Sequence, residues 1–324
     1  WVIFPHNENT WPGGRLQVVQ KVYAQMLASV STGEKVNLLV ENNSLKELAS
    51  KLIFENDCAI KKNILFHTIP TMDSWIRDCG PTFLLSKNRK QLAMVEWVFN
   101  AWGEKYESEE PLSNDKVIPS KINELLKVRA FLPGIVMEGG SIDVNGDGTV
   151  LTTQQCLLNK NRNSKLTKEQ IGVYLKEYLG VESVVWLKDG IEGDDTDGHV
   201  DDIARFVGKN KVLICSPDES DSTNYSLMKE NKKILEDSGF DVIDLPMPGV
   251  VFDERRLPAS YANFYIANSC VVTPIFGAKN DEEAIDLIKD CFKGRKIVGL
   301  PSKEVVYGFG SWHCLTQQQP KIGL

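Results

Sequence analysis

The stretch Ile135-Val136-Met137-Glu138-Gly139-Gly140-Ser141-Ile142-Asp143-Val144-Asn145-Gly146-Asp147-Gly148-Thr149-Val150-Leu151-Thr152-Thr153 decides the fold class. Ile135 to Val144 and Thr149 to Thr153 read as two β-strands. The Asn145-Gly146-Asp147-Gly148 tract between them reads as a hairpin turn, because Asn and Gly tolerate the positive φ that such turns need. Downstream, Thr167 and Gln170 form a capping box for a helix that ends at Gly180, and Val184 to Leu187 is a third strand. The run from Asp143 also matches the first half of a calcium-binding EF-hand loop. Its twelfth position, however, is Gln154 rather than a bidentate glutamate, and β-type sequence flanks it where helices would stand, so the reading remains a turn.

The same rhythm extends both ways. Toward the N-terminus, Leu16, Val19, Val22, Tyr23, Met26, Leu27 and Val30 recur at helical spacing. Val36 to Val40 is a short strand, followed by a helix near Leu45 to Phe54 with Ser44 as its expected cap. Ile64 to Ile69, Thr82 to Leu85 and Leu92 to Phe99 read as strands, Gly103 to Asp115 as an exposed polar loop, and Ser120 to Arg129 as a helix. Toward the C-terminus come a strand over Val200 to Val207, another over Val212 to Cys215 and a helix over Thr223 to Asp237. Phe240 to Leu245 and Tyr261 to Ile275 are extended, Asn280 caps a helix over Asp281 to Phe292, and Lys296 to Leu300 is the last clear strand. Strand pairs punctuated by single helices make an α/β protein with too many hairpins for a doubly wound parallel sheet. With neither a linker nor a visible repeat, residues 1–324 read as one domain.

Composition narrows the function. A net charge of -7 argues against nucleic acid and is mildly consistent with a cationic substrate. No apolar run approaches the roughly 20 residues of a membrane span, and no signal-peptide pattern stands at the start. Cys58, Cys79, Cys156, Cys215, Cys270, Cys291 and Cys314 form an odd, scattered set without CxxC pairs. That is neither a disulfide framework nor a zinc site, and it fits the reducing cytosol. The expected location is cytoplasmic. No phosphate-cradling glycine motif occurs, which argues against a nucleotide cofactor.

Four segments carry candidate chemistry. Gly308-Phe309-Gly310-Ser311-Trp312-His313-Cys314 brings a cysteine out of a small-residue loop, a setting that could present a thiolate, although most free cysteines are inert core residues. His199 and Asp201 lie two apart in the expected strand, so they share a face. They are either a base with its carboxylate or a structural hydrogen-bonded pair. Arg77-Asp78 is either a site element or a turn salt bridge before Gly80-Pro81. Glu138 has apolar surroundings in Val136, Met137 and Ile142, and if buried it needs a partner.

These segments, taken with others, resemble a known family. They are Trp75-Ile76-Arg77-Asp78-x-Gly80-Pro81, Glu138-Gly139-Gly140-Ser141, Leu157-Leu158-Asn159-x-Asn161-Arg162-Asn163, Gly198-His199-Val200-Asp201, Pro258-Ala259-Ser260-Tyr261-x-Asn263-Phe264-Tyr265-Ile266-Ala267-Asn268 and Gly310-x-x-His313-Cys314-x-Thr316-Gln317-Gln318. In that order they look like the agmatine deiminases, which belong with the bacterial-type peptidylarginine deiminases of the guanidine-modifying superfamily. The resemblance runs from Trp11-Pro12-Gly13 to Pro320. It implies the pentein fold, five ββαβ-like units around a pseudo-fivefold axis with the active site in the central channel. It further implies that Cys314 attacks the guanidinium carbon and that Asp78 and Asp201 bind its nitrogens. His199 would serve as general acid and base, oriented by Glu138, with Trp75 walling the channel beside the alkyl chain. No metal or organic cofactor is expected, and a homo-oligomer, dimer or tetramer, is.

The far end of the substrate is expected to meet Asp195, with Asp194 as the alternative, where the family often has Glu. A site for agmatine should lack an arginine clamp. Gly308-Phe309-Gly310-Ser311-Trp312 departs from the more usual Gly-Gly-Gly-Asn-Ile, so Gly310, Trp312 and Phe309 are expected to shape the channel, leaving arginine or a peptidyl arginine as alternative substrates. Two other classes compete: a papain-like cysteine protease, which has no need of both Asp78 and Asp201 and carries its cysteine near the N-terminus, and a catalytically dead pentein serving as a binding module.

Overall fold

The computed structural model describes residues 1–56, 62–106, 112–249, 251–252 and 255–323, and Cys58 lies outside them. Among these residues the strands form five three-stranded sheets and one short ribbon, Val251–Phe252 with Arg255–Arg256. Four of the sheets share one construction. In the second blade Thr82–Leu85 pairs antiparallel with Leu92–Val95, which runs parallel to Arg129–Phe131. The third blade repeats this with Ile142–Val144, Thr149–Thr153 and Ser183–Leu187. The fourth uses Ala204–Phe206, Lys211–Ser216 and Asp241–Pro246, and the fifth Tyr265–Ile266, Cys270–Ile275 and Lys296–Pro301.

In each of these four blades a hairpin makes the antiparallel pair and a helix returns the chain for the parallel one. Those helices are Ile118–Leu126, Lys168–Leu179, Ser222–Asp237 and Asp281–Cys291. A parallel neighbour requires such a crossover, whereas a hairpin does not. The first blade is built from both ends of the chain. Val2–Ile3, Val36–Val40 and Ile64–Thr68 are all parallel, and Thr316 takes the antiparallel place beside Val2. The Gln317 N–H donates to the Trp1 carbonyl at 2.9 Å, closing the ring. The five-unit propeller that the resemblance implies is the architecture observed.

The hydrophobic core lies between each sheet and its helix. Leu16, Val19, Tyr23, Met26, Leu27 and Val30 of helix Arg15–Val30 share a cluster with Leu38 and Val40. A side chain of this size contributes about 2 kcal/mol on burial.

Local expectations fared unevenly. The capping box of Thr167 and Gln170 is formed, and Asn145 turns its hairpin with Gly146 and Gly148 at positive φ. The helix near residue 45 starts earlier than expected, at Asn43–Asn56, and Asn42 rather than Ser44 accepts from the Leu45 N–H. Asn280 spends its amide on the Met247 carbonyl, while Asp281 gathers the N–H groups of Phe276 and Gly277. The helix before Arg129 stops at Leu126 because Lys127 turns left-handed, at φ 54°. The expected exposed loop from Gly103 is not simply exposed: Asp115 is buried and accepts from the Met72 N–H at 2.6 Å.

The corrections that matter for function share one form. In the expected strands Ile135–Val144, Val200–Val207 and Tyr261–Ile275 a tight turn comes before the regular pairing. Regular pairing starts only at Ile142, Ala204 and Tyr265. His199 and Asp201 therefore sit at and within a 3-10 turn, Val200–Asp202, and not on one face of a strand. Two further turns complete the set: Ile76–Cys79 precedes Thr82, and the Trp312–Leu315 turn precedes Thr316. Each blade thus presents a short irregular turn just before its first strand, and every candidate catalytic residue stands on one of them.

Candidate active site

These turns pack against one another at the ring's centre. The Arg77 N–H donates to the Cys314 carbonyl at 3.1 Å, and the Gly140 N–H donates to Asp78 Oδ1 at 2.9 Å. The closeness explains the glycines. A Cβ on Gly139 would lie 2.1 Å from the Arg77 carbonyl oxygen, and one on Gly140 would lie 2.5 Å from His199 Nδ1. Neither approach is possible for any other residue. A cavity of about 450 Å³ opens from this centre, walled by Trp75, Asp78, Trp102, Asp195, Phe309 and Cys314 among others.

On one side of the centre stands the sulfur. Cys314 Sγ lies 3.6 Å from Asp201 Oδ2, and the Asn263 side-chain amide approaches it to 3.0 Å. Burial pushes the Cys314 thiol well above its ordinary value, and the carboxyls of Asp201, Asp202 and Asp78 add to the shift. Asp201 is pushed up to about 7, chiefly by burial. Its Oδ2 meets His313 Nδ1 at 2.6 Å, while its Oδ1 has no partner among the described residues. Burial, with Arg205 and Arg77 nearby, holds His313 well below the usual range, so its ring is neutral.

On the other side stands the imidazole. His199 Nδ1 lies 3.8 Å from Asp78 Oδ1 and Nε2 lies 3.9 Å from Glu138 Oε2, so both ring nitrogens have carboxylate neighbours without a direct bond. Burial lowers the His199 pKa, but Asp78, Cys156 and Glu138 outweigh it and hold the ring well above its ordinary value. It is an imidazolium at neutral pH. Glu138 is fully buried and meets Arg162 Nε at 2.7 Å. Burial would raise its carboxyl, but His199 and Arg162 bring it below the usual range. Asp78 accepts from the Trp102 indole at 2.9 Å as well as from Gly140.

The indole reaches Asp78 through an uncommon backbone. Ala101, Trp102, Gly103 and Glu104 all have positive φ, a left-handed turn that costs roughly 1 kcal/mol for each non-glycine residue. Gly103 also packs where a Cβ would strike Asn161 and Arg162, so the turn and the Glu138 support are built together.

The structure therefore brings Cys314, His199, Asp78, Asp201 and Glu138 together, with Trp75 and Gly310 in the cavity wall. A Cβ on Gly310 would lie 2.6 Å from the Trp75 ring. Asp195 lines the cavity and accepts from the Tyr106 hydroxyl, its carboxyl pushed up to about 6 mainly by burial. Asp194 does not reach the cavity. It accepts from the Thr196 and His199 backbone N–H groups and fixes the imidazole's backbone instead. Trp312 is fully buried in the core cluster that also holds Trp11 and is not among the residues walling the cavity, whereas Phe309 is.

Trp102, Asn263, His313 and Arg162 also belong to the site, and sequence reasoning gave them no role. Three of them lie in motifs that carried the resemblance, but only the turn-before-strand pattern tells which side chains face the centre. Two trios, Glu138 with Cys156 and His199, and Asp201 with Asp202 and Cys314, hold metal-ligand atom types within 4.8 Å of one another. In the first trio Glu138 is charge-paired with Arg162, and in the second Asp202 and Cys314 already share the Asn263 amide.

The sequence profile of the Porphyromonas-type peptidyl-arginine deiminases matches residues 1–320. The chain belongs to that family. Within it, the chain is 39% identical over 329 residues to a Legionella pneumophila (strain Paris) protein named "Putative agmatine deiminase", covering 99% of this chain and 92% of the relative. Among solved structures it is similar to the agmatine deiminase of Enterococcus faecalis, with a TM-score of 0.88 and 32% identity over 99% of this chain and 92% of that one. It is equally similar to a Cys→Ser variant of the C. jejuni agmatine deiminase with substrate bound, at TM-score 0.88 and 34% identity over the same shares of the two chains. Membership explains the site's economy. Cys314, Asp78 and Glu138 arrive on the turns of the first, second and third blades, and His199 and Asp201 arrive together on the turn of the fourth, so the ring's centre is where they meet.

Proposed function

We propose that this protein hydrolyses agmatine to N-carbamoylputrescine and ammonia, with the whole of residues 1–324 acting as one catalytic domain. The observation that carries the reading is the sulfur of Cys314 beside one aspartate, Asp201, with the His199 imidazolium against another, Asp78, at the floor of one cavity. Relatives named as agmatine deiminases support the choice of substrate.

The chemistry follows from the groups in place. Asp78 and Asp201 take the guanidinium nitrogens by charge-assisted hydrogen bonds and hold the carbon over Sγ. The substrate's charge favours the thiolate, offsetting the burial that keeps Cys314 protonated in the free enzyme, and the thiol proton is released to solvent as the cation binds. Sulfur bonds to the carbon, the His199 imidazolium gives its proton to the departing nitrogen, and ammonia leaves a thiouronium. Neutral His199 then removes a proton from water. The new C–O bond forms, the C–S bond breaks, and the ureido product leaves with the thiol restored. Asp195 and Tyr106 receive the terminal ammonium. Nucleophile, acid and charge stabilisation are all side chains, so the reaction as written calls for no cofactor. We place the activity in polyamine (putrescine) biosynthesis or arginine catabolism, in the cytoplasm, as a homo-oligomeric enzyme. No helix among the described residues is long and apolar enough to cross a membrane.

One observation favours a second reading. Arg255 and Lys105 line the cavity, where an agmatine site was expected to lack an arginine clamp. Arg255 stacks 4.3 Å over Phe309 and donates to the Tyr307 carbonyl, while Lys105 pairs with Asp197, so both cations have partners of their own. An α-carboxylate would have to draw them away. Supplying agmatine, free arginine and an arginyl peptide separately, with Cys314→Ala as the blank, decides between them. Ammonia and ureido product from agmatine alone support the proposal, turnover of arginine or peptide instead moves the substrate, and silence on all three returns the protein to a binding role.

A further inference from the structure

Asn263 stands on the turn before the first strand of the fifth blade, 1% exposed. Its side-chain oxygen accepts from two backbone donors, the N–H groups of His313 at 3.0 Å and Cys314 at 3.3 Å. Two N–H donors can face only an oxygen, so the amide has one possible orientation. Its Nδ2 consequently points at Cys314 Sγ, 3.0 Å away, and at Asp202 Oδ1, 2.8 Å away. The sulfur is held from two sides, its proton toward Asp201 Oδ2 and a lone pair toward the amide. The ionisable groups felt there oppose a thiolate: Asp201 and Asp202 from the fourth blade's turn and Asp78 from the second's, with Arg77 as the cation that shares its charge with the sulfur.

We infer that Asn263 is a further catalytic residue, the amide donor that holds the Cys314 sulfur at its point of attack and stabilises the thiolate as it forms and as it leaves. For the reaction this rests on the deiminase reading; for the sulfur's own reactivity it does not. A thiolate accepts a hydrogen bond more strongly than a thiol, so the contact strengthens as charge develops, which is the condition for lowering a barrier. It weakens in the thiouronium, where sulfur is uncharged, and recovers when water expels the thiol. Because Nδ2 spends its second hydrogen on Asp202, the amide cannot rotate away to follow that charge.

A residue that only stapled the cysteine turn would use its oxygen alone, and this separates the two roles. Asn263→Asp keeps an acceptor for both backbone donors but has no NH2, whereas Asn263→Ala loses both. The probe is iodoacetamide, an uncharged alkylating agent, with modification of Cys314 resolved by peptide mass spectrometry across pH roughly 6 to 10. Both variants should alkylate about tenfold more slowly near pH 8 and by a similar factor across the series. A wild-type rate across the series in Asn263→Asp, whether or not Asn263→Ala changes, would overturn the inference and leave a turn staple. If wild-type protein releases no ammonia from any guanidine while the alkylation shifts appear as stated, the deiminase reading fails and the donor role stands.

Discussion

The two sides of the cavity floor solve one problem in opposite ways. Around His199 the ionisable groups are charged and paired, with Arg162 against Glu138 and the imidazolium between Glu138 and Asp78. Around Cys314 burial keeps the groups neutral: the thiol protonated, Asp202 raised well above the carboxylate range, His313 uncharged and Asp201 poised near 7. Isolated charges away from water are costly, so a buried site must either pair them or keep their protons on. The paired side is finished before substrate arrives. The neutral side is waiting for a cation.

The contrast can be broken at its largest effect first. Cys314→Ala should lower kcat for agmatine by on the order of 10⁵ to 10⁶, the scale of losing a covalent nucleophile, with the protein's thermal stability unchanged or raised. Arg162→Met strikes the paired side, leaving a buried carboxylate uncompensated. It should destabilise the protein by about 3–5 kcal/mol in urea, and adding Glu138→Gln should recover most of that loss. A double variant as unstable as the single one would mean that the pair is not what stabilises this side. At the cavity's far end, Asp195→Asn should raise KM for agmatine about 10- to 100-fold with kcat changed far less, the loss of one charged hydrogen bond. An equal fall in kcat alone would instead place Asp195 in the chemistry.

The smallest effect sharpens the neutral side. Asp115, in the cavity wall, is pushed by burial from 3.8 to about 7. Its folded carboxyl binds its proton more tightly than its unfolded one, so the stability it contributes is full below 3.8 and is lost as pH rises to about 7. Asp115→Asn should therefore flatten the fall of Tm between pH about 4 and 7. An unchanged slope would locate the titration elsewhere.

How much of this was legible from residues alone depends on range. The hairpin of Asn145-Gly146-Asp147-Gly148 and the cap of Thr167 are settled by neighbours a few residues away, and both were readable. The turns that carry His199 and Glu138 were read as strand because their apolar flanks continue into true strands, and nothing local says where pairing begins. Only contact with other blades does, as when Gly140 closes on His199 and Asp78. Trp312 misled for the same reason: an aromatic beside the cysteine suggested a channel wall, yet it faces the core. Motif resemblance recovered the five central residues without geometry, but not the amide of Asn263 or the salt bridge of Arg162, whose roles exist only between distant parts of the chain.

The clasp of Thr316 on Val2 lies two residues beyond the nucleophile. The residues of the imidazole side, Asp78, Glu138 and His199, all precede the cysteine by more than a hundred positions. The sulfur takes its place only in the act that joins the ends.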